Sequence, residues 1–199
     1  METIRGRMSL DLNLSELTEQ LVDYDNITLD LGTGDGQFVR RMAEQNHEHF
    51  FIGMDACREN LRANSQRKLP NALFVIANAQ AIPLELHGLA SRVTINFPWG
   101  SLLTSLLNGA SSFLNGLEAV THPGAEMEVH LNADAVAAAG WELEPGADRV
   151  ERVLNEAGWR TKSNTCMDAQ ALRSIPTTWA KRLAFGRDPR AIRLSLKRE

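Results

Sequence analysis

The chain has 199 residues, 43% of them apolar and 23% charged, which fits one globular domain with a modest elaboration. That balance excludes disorder, collagen and coiled coil as the main architecture. No apolar run approaches the ~18 residues of a membrane span, and the opening segment 1–7 has no apolar signal core. Two cysteines, Cys57 and Cys166, lie far apart and outside any metal spacing, so a reduced, cytoplasmic, metal-free protein is expected. The net charge of −4 argues against a protein that simply coats nucleic acid, but the charge is unevenly spread. Residues 1–180 carry 14 basic and 23 acidic side chains, net −9; residues 181–199 carry seven basic and two acidic, net +5. A basic end on an acidic body can hold a polyanion locally; the plainer reading is a strand edge guarded by Lys and Arg.

In chain order, Ile27–Leu31 is a β-branched and apolar run, read as a buried strand, and it enters the turn Gly32-Thr33-Gly34-Asp35-Gly36. Gln37–Gln45 follows with Phe38, Val39 and Met42 at helical spacing. Phe50–Met54 is a second strand ending at Asp55, and Arg58–Lys68 a helix with a basic face. Leu73–Ala77 and Val93–Phe97 are the third and fourth strands, with one helix predicted over Leu102–Val120. Glu126–Leu131 is a fifth strand, Asp148–Glu156 a helix, and Arg190–Leu196 closes with strand character. Strands alternating with helices predict a parallel sheet covered on both faces, with its ligand beyond the carboxyl ends of the strands.

The glycine turn stands at such an end. Gly32 and Gly34 match the dinucleotide fingerprint, but its third glycine would fall at Gln37, and no Walker lysine is present. Asp30 and Asp35 flank the turn, and two carboxylates repel a pyrophosphate while welcoming an ammonium and a sulfonium. S-adenosylmethionine carries both. Asp55, ending the next strand, can accept both ribose hydroxyl protons. Order, spacing and strand–helix setting together predict a class I, Rossmann-like methyltransferase. The fourth strand ends in Asn96-Phe97-Pro98-Trp99, which resembles the [D/N/S]-x-P-[aromatic] motif of nucleic-acid amino methyltransferases. There an Asn can orient a base edge while an indole stacks on its face. The five histidines form no ligand spacing and are expected at the surface; Trp159, after Gly158, is expected in the core.

With Gly32–Gly36, Phe97-Pro98-Trp99-Gly100-Ser101-Leu102-Leu103 and the block Trp179–Arg187 in view, the chain resembles the aminoglycoside-resistance 16S ribosomal RNA methyltransferases that modify N1 of adenine-1408. The resemblance spans residues 4–197. It implies a single domain over 1–199, with residues 1–25 as an N-terminal extension and 181–199 as a basic RNA-docking end. The implied fold is a seven-stranded, mostly parallel sheet with an antiparallel C-terminal strand and a short N-terminal hairpin. It further implies monomeric action on the assembled 30S subunit, with S-adenosylmethionine as cofactor. Asp30, Gly32, Thr33 and Gly34 would hold its methionine end, Asp55 and Ala56 its ribose, and Asn78, Ala79 and Gln80 its adenine, with Asn96 close by. Trp99 and Trp179 would sandwich the flipped adenine in a pocket shaped by Ser101 and Thr177. Lys181, Arg182, Arg187 and Arg190 would grip RNA, with Arg67 and Lys68 as a second patch on the same face. No general base is required, because adenine N1 is neutral with a free lone pair, and no proton need leave before transfer.

The chain departs from the family pattern at several points. Gln80 stands in place of Glu, Asn96 in place of an apolar residue, and Asp188-Pro189 in place of basic residues. The segment 131–148 holds no Lys or Arg. Three alternatives remain beside this reading: a tRNA guanine-N7 methyltransferase, a cofactor-binding protein that docks on the ribosome with little or no transfer, and a small-molecule methyltransferase.

Overall fold

A computed structural model describes residues 1–186 and 188–199. Among these residues, nine strands form one sheet, two more than expected, in the order β2-β1-β5-β4-β3-β6-β7-β9-β8. The five central strands are β3 (Asn26–Leu31), β4 (His49–Asp55), β5 (Ala72–Ile76), β6 (Ala90–Asn96) and β7 (Thr121–Asn132), mutually parallel where they pair. An antiparallel hairpin, β1 (Glu2–Arg5) and β2 (Met8–Asp11), joins the β5 edge. It belongs to the sheet and accounts for the two extra strands. At the other edge β9 (Ala191–Arg198) lies between β7 and β8 (Trp159–Met167), antiparallel to both. The polar alternation of β8 hid it from the sequence reading: apart from Trp159, its side chains are exposed or half-buried.

Three clusters of buried side chains fix the layers. The largest packs one sheet face against α4 (Gly100–Asn108), α5 (Ser111–Val120) and α7 (Leu143–Glu156), and contains Leu29, Phe113, Val150, Trp159 and Leu194. The expected single helix over Leu102–Val120 is broken, because Gly109 adopts φ +68° and caps α4. The helix expected at Asp148 instead begins at Leu143, with Pro145 tolerated in the first turn. Within 131–148 lies the short helix α6 (Ala133–Ala138). On the other face α2 (Gln37–Gln45) and α3 (Arg58–Ser65) bury Val39, Ala43 and Leu61 against Phe51 and Phe74. The α3 helix stops at Ser65, three residues short of the expected Lys68.

The third cluster positions the site. Two short helices, α8 (Ala169–Ser174) and α9 (Thr178–Ala184), which the sequence reading missed, seat Leu172, Ile175, Ala180 and Leu183 on Phe97 and Ala191. Each helix has a side-chain cap: the Asp168 carboxylate accepts from Ala171 N–H, and the Thr177 hydroxyl oxygen accepts from Ala180 N–H. With Ala180 and Leu183 turned inward, Trp179 and Lys181 are left exposed.

The glycine turn is conformationally obligatory. Gly32, Gly34 and Gly36 have φ of +69°, +58° and +73°, the left-handed region that side chains disfavour. At Gly36 a methyl group would also stand 2.5 Å from Phe74 Cε1. Gly88, in a distant loop, has a matching φ of +71° but open space around it. Gly36→Ala should therefore cost about 1–3 kcal/mol more than Gly88→Ala in denaturant unfolding, the excess being the steric part alone.

Candidate active site

At the carboxyl ends of β3, β4, β5 and β6 lies a cavity of about 510 Å³. Its floor is Asp30. This residue is 1% exposed, and its Oδ1 accepts hydrogen bonds from Thr94 Oγ1 at 2.6 Å and Asn96 Nδ2 at 2.8 Å. Among the described residues its Oδ2 makes no hydrogen bond of good geometry, nor does the neighbouring buried hydroxyl of Thr33, which is close enough only to favour the charged form. Burial lifts the Asp30 carboxyl from its ordinary 3.8 to about 6, against the opposing pull of Thr33, Thr94 and Asn96; the charge of Asp55 adds to the rise. A carboxylate so placed calls for a cation at the cavity side.

The walls follow from the turns. Gly32 and Thr33 both donate backbone N–H to Met54 O, which locks the turn to the end of β4. A Cβ at Gly32 would lie 2.6 Å from Leu102, whereas one at Gly34 would meet nothing within 4 Å. Gly34 thus presents bare backbone to open space. Asp55 closes the next strand; its Oδ2 accepts from Gly34 N–H and its Oδ1 from Cys57 N–H, at 2.9 and 2.8 Å. Each oxygen retains a lone pair for another donor. Ala56, Asn78 and Ala79 line the same wall. Gln80 does not: its amide turns away and donates to Ser105 Oγ at 2.7 Å on α4.

The rim carries the aromatic residues. Trp99 caps the start of α4 and Trp179 lies in the first turn of α9, each 41% exposed. Their rings stack with centroids 5.9 Å apart at 29°. They therefore meet at one rim, as expected. The slot between them is nonetheless closed, because a base held between two rings needs roughly 7 Å, twice the ~3.5 Å aromatic contact distance. Arg182 places its guanidinium 5.4 Å from the outer indole of Trp179 and also lines the cavity. Ser101 and Thr177 line it too, Thr177 as the α9 cap described above. Asp35, a residue expected to meet the ligand, lines the cavity and also serves the scaffold: its Oδ2 accepts from Thr178 Oγ1 at 2.6 Å, tying α9 to the glycine turn. The Gln37 amide lies 3.3 Å from the same hydroxyl, at the position where a dinucleotide fold has its third glycine.

The remaining site residues fall elsewhere. Asn96 borders the cavity, but both ends of its amide are engaged, by Asp30 and by His130, so it is not free to read a base edge. His130 is 4% exposed, not on the surface. Arg67 and Lys68 follow the end of α3 that leads back to the amino ends of the strands, away from the tryptophans, and Arg67 pairs with Glu44 at 2.6 Å. A βαβ unit brings only its strand-to-helix turns to the carboxyl side. Arg190 is exposed but forked onto Asp188, at 2.9 and 2.7 Å, an ion pair that favours the charged form of both. Arg187 lies outside the described residues. Among the described residues no cluster of three or more His, Cys, Asp or Glu could hold a metal ion. Sequence reasoning missed Thr178 and His130; the hydroxyl beside Trp179 was the one available signal.

The raised Asp30 carboxyl has a measurable consequence. Its folded value lies above the unfolded one, so it costs the ligand-free protein nothing below about pH 4, and the full penalty is present above about pH 6. Asp30→Asn should therefore raise ligand-free stability at pH 8 by roughly 3 kcal/mol, at 1.36 kcal/mol per pH unit, and the gain should vanish near pH 4. Unfolding titrations of both proteins across that range check it.

The family model for 16S rRNA (adenine(1408)-N(1))-methyltransferases matches residues 2–198. A relative of that name from Escherichia coli is 32% identical over 213 aligned positions, which cover 98% of this chain and 97% of the relative. The crystal structure of the 16S rRNA methyltransferase KamB superposes with a TM-score of 0.90 at 27% identity, each chain fully covered. A variant of the 16S rRNA (adenine(1408)-N(1))-methyltransferase from Catenulisporales acidiphilia, described with cosubstrate SAM, gives 0.86 at 25% identity and covers 100% of this chain and 96% of its own. A cavity with a cation-seeking floor, closed by two tryptophans on a sheet of this order, is thus found in a chain that belongs to the 16S rRNA (adenine(1408)-N(1))-methyltransferase family.

Proposed function

We propose that the cavity above Asp30 is the methyl-transfer site, and that its substrate is adenine-1408 of 16S rRNA in the assembled 30S subunit. By family the chain is an S-adenosylmethionine-dependent RNA methyltransferase whose product, N1-methyladenine, confers aminoglycoside resistance. The bare Asp30 Oδ2 and the open backbone at Gly34 fit the cofactor's charged methionine end. Asp55 has acceptor capacity left for ribose hydroxyls, and Ala56, Asn78 and Ala79 offer a wall for the adenine ring. When bound, S-adenosylmethionine supplies the electrophilic sulfonium methyl group.

The observation that carries the proposal is the stacked pair Trp99–Trp179 at the mouth of a cavity floored by a cation-seeking carboxylate. The rings part by about 1 Å or more to admit a flipped base, exchanging one indole–indole contact for two base–indole contacts. At ~1–3 kcal/mol per stacked base, these offset the few kcal/mol of unstacking. Ser101 and Thr177 narrow the slot around the base edge. Arg182, over the outer face of Trp179, stiffens one jaw and reaches toward phosphate. Lys181 stands exposed on the same helix. Arg187 and Arg190 extend the basic end in sequence, with Arg190 able to exchange Asp188 for a phosphate. Arg67 and Lys68 form a separate basic point near the amino ends of the strands. The chain acts as one domain and as a monomer in the cytoplasm, where the subunit is found; no described helix is long and apolar enough to cross a membrane.

Incubating purified 30S subunits with labelled S-adenosylmethionine and mapping the methyl group by primer extension tests this directly. A single stop at position 1408 is expected; label on free tRNA in preference to subunits would overturn the substrate assignment. Trp99→Ala or Trp179→Ala should abolish methylation while cofactor affinity by calorimetry moves less than about twofold, and Phe at either position should keep part of it. Lys181→Glu with Arg182→Glu should weaken subunit binding and flatten its salt dependence by roughly 0.7–0.9 in log–log slope per lost phosphate contact, with folding unchanged.

A further inference from the structure

Asn96 and His130 are register partners across the parallel pair β6–β7. The Asn96 amide bridges two strands: one end lies 2.8 Å from Asp30 Oδ1 on β3, the other 2.8 Å from His130 Nδ1. Its two ends are not equivalent. Ionised Asp30 only accepts, so the NH2 must face it and the carbonyl must face the imidazole. That carbonyl needs a donor, which fixes the His130 proton on Nδ1. Had the proton been on Nε2, the amide would turn over and aim its carbonyl at a carboxylate. The imidazole is held neutral by burial, which lowers it from 6.5 to about 4. A second contact reaches the base side: Phe97 N–H donates to His130 O at 2.9 Å, and the Phe97 ring stacks on the imidazole at 5.7 Å and 27°. Phe97 is the one described non-glycine residue at positive φ, +53°, and it is 2% exposed. Such strain persists where its surroundings enforce it.

We propose that His130 is a positioning residue for methyl transfer: acting through Asn96 it presents the amide NH2 to Asp30, while its ring, stacked on Phe97, packs the turn from which Trp99 projects. The inference rests on the reading in which Asp30 receives the cofactor's ammonium.

The test is the affinity for S-adenosylhomocysteine, the demethylated cofactor, measured by calorimetry from pH 5 to 8. The charged groups facing the pair are Asp55 beside Asp30, and Glu128, Arg193 and Arg92 around His130; the variants leave all of them in place. In the wild type the affinity should fall toward pH 5, as Asp30 takes up its proton. His130→Leu frees the amide to turn over, so the proton is retained to higher pH and the midpoint should move up by about half a unit or more, a threefold change in proton affinity. His130→Gln, whose NH2 can donate to the Asn96 carbonyl, should restore the midpoint. Lost packing alone would lower the melting temperature of both variants and leave the midpoint in place. Asn96→Leu provides a second route and should shift the midpoint in the same direction as His130→Leu. An unshifted midpoint in folded His130→Leu or in Asn96→Leu, or a His130→Gln protein that behaves like His130→Leu, overturns the relay. A wild-type affinity that does not change between pH 8 and pH 5 would instead refute the Asp30–ammonium reading itself.

Discussion

A single carboxylate oxygen organises this molecule. Asp30 is buried at the end of the central strand, with Oδ1 held by two donors and Oδ2 by none. A protein gains nothing in stability from such a group, since a desolvated charge with a free lone pair is a cost. Around it, the glycine turn leaves backbone bare, Thr94 supplies a hydroxyl, Thr33 lies close by, and Asn96 brings in an amide braced from the next strand. Together these local choices leave one carboxylate oxygen buried at the cavity floor without a partner among the described residues.

A second constraint is mechanical. The two rim tryptophans come from segments 80 residues apart in sequence, and neither belongs to the sheet. Trp99 inherits its position from the strained Phe97 and from the start of α4. Trp179 inherits its position from α9, which has little of its own: seven residues, seated by Ala180 and Leu183 and tied by Thr178 to Asp35. The tie joins the two halves of the site, since the turn that presents Gly34 to the cavity also anchors the helix that presents Trp179. Arg182 adds a charge 5.4 Å from the Trp179 ring, on the same short helix.

Much of this was legible in the sequence because it is local. The run Ile27–Leu31, the glycine turn and the strand-ending Asp55 are each written in consecutive residues, and their side chains fall where the βαβ geometry puts them. What was not legible depends on pairing across the sheet or on polar capping. The β8 strand was hidden because one of its faces is wet, and α8 and α9 because six or seven residues carry no period. His130 was misjudged as a surface residue, since its partner Asn96 is 34 positions away. Gln80 was assigned to the cofactor wall by resemblance, but an unbroken contact with Ser105 draws it away. Arg67 is expected on the tryptophan face, but a crossover helix runs antiparallel to its strands, so the end of α3 returns to their amino ends.

The last strand to be synthesised among the described elements is not an edge strand. Residues 191–198 slide between β7 and β8, with Leu194 and Leu196 fully buried. Until they arrive, β7 and β8 each present an open row of N–H and C=O groups and share no bond with one another, a state prone to pairing with other chains. The seat of α9 is also incomplete, because Ala191 is part of it. Without residues 191–198, the α9 seat lacks Ala191 and the β7 and β8 edges stand unpaired on the sides that β9 fills. Residues 191–198 thus complete both the sheet and the seat of α9, although they line no wall of the cavity.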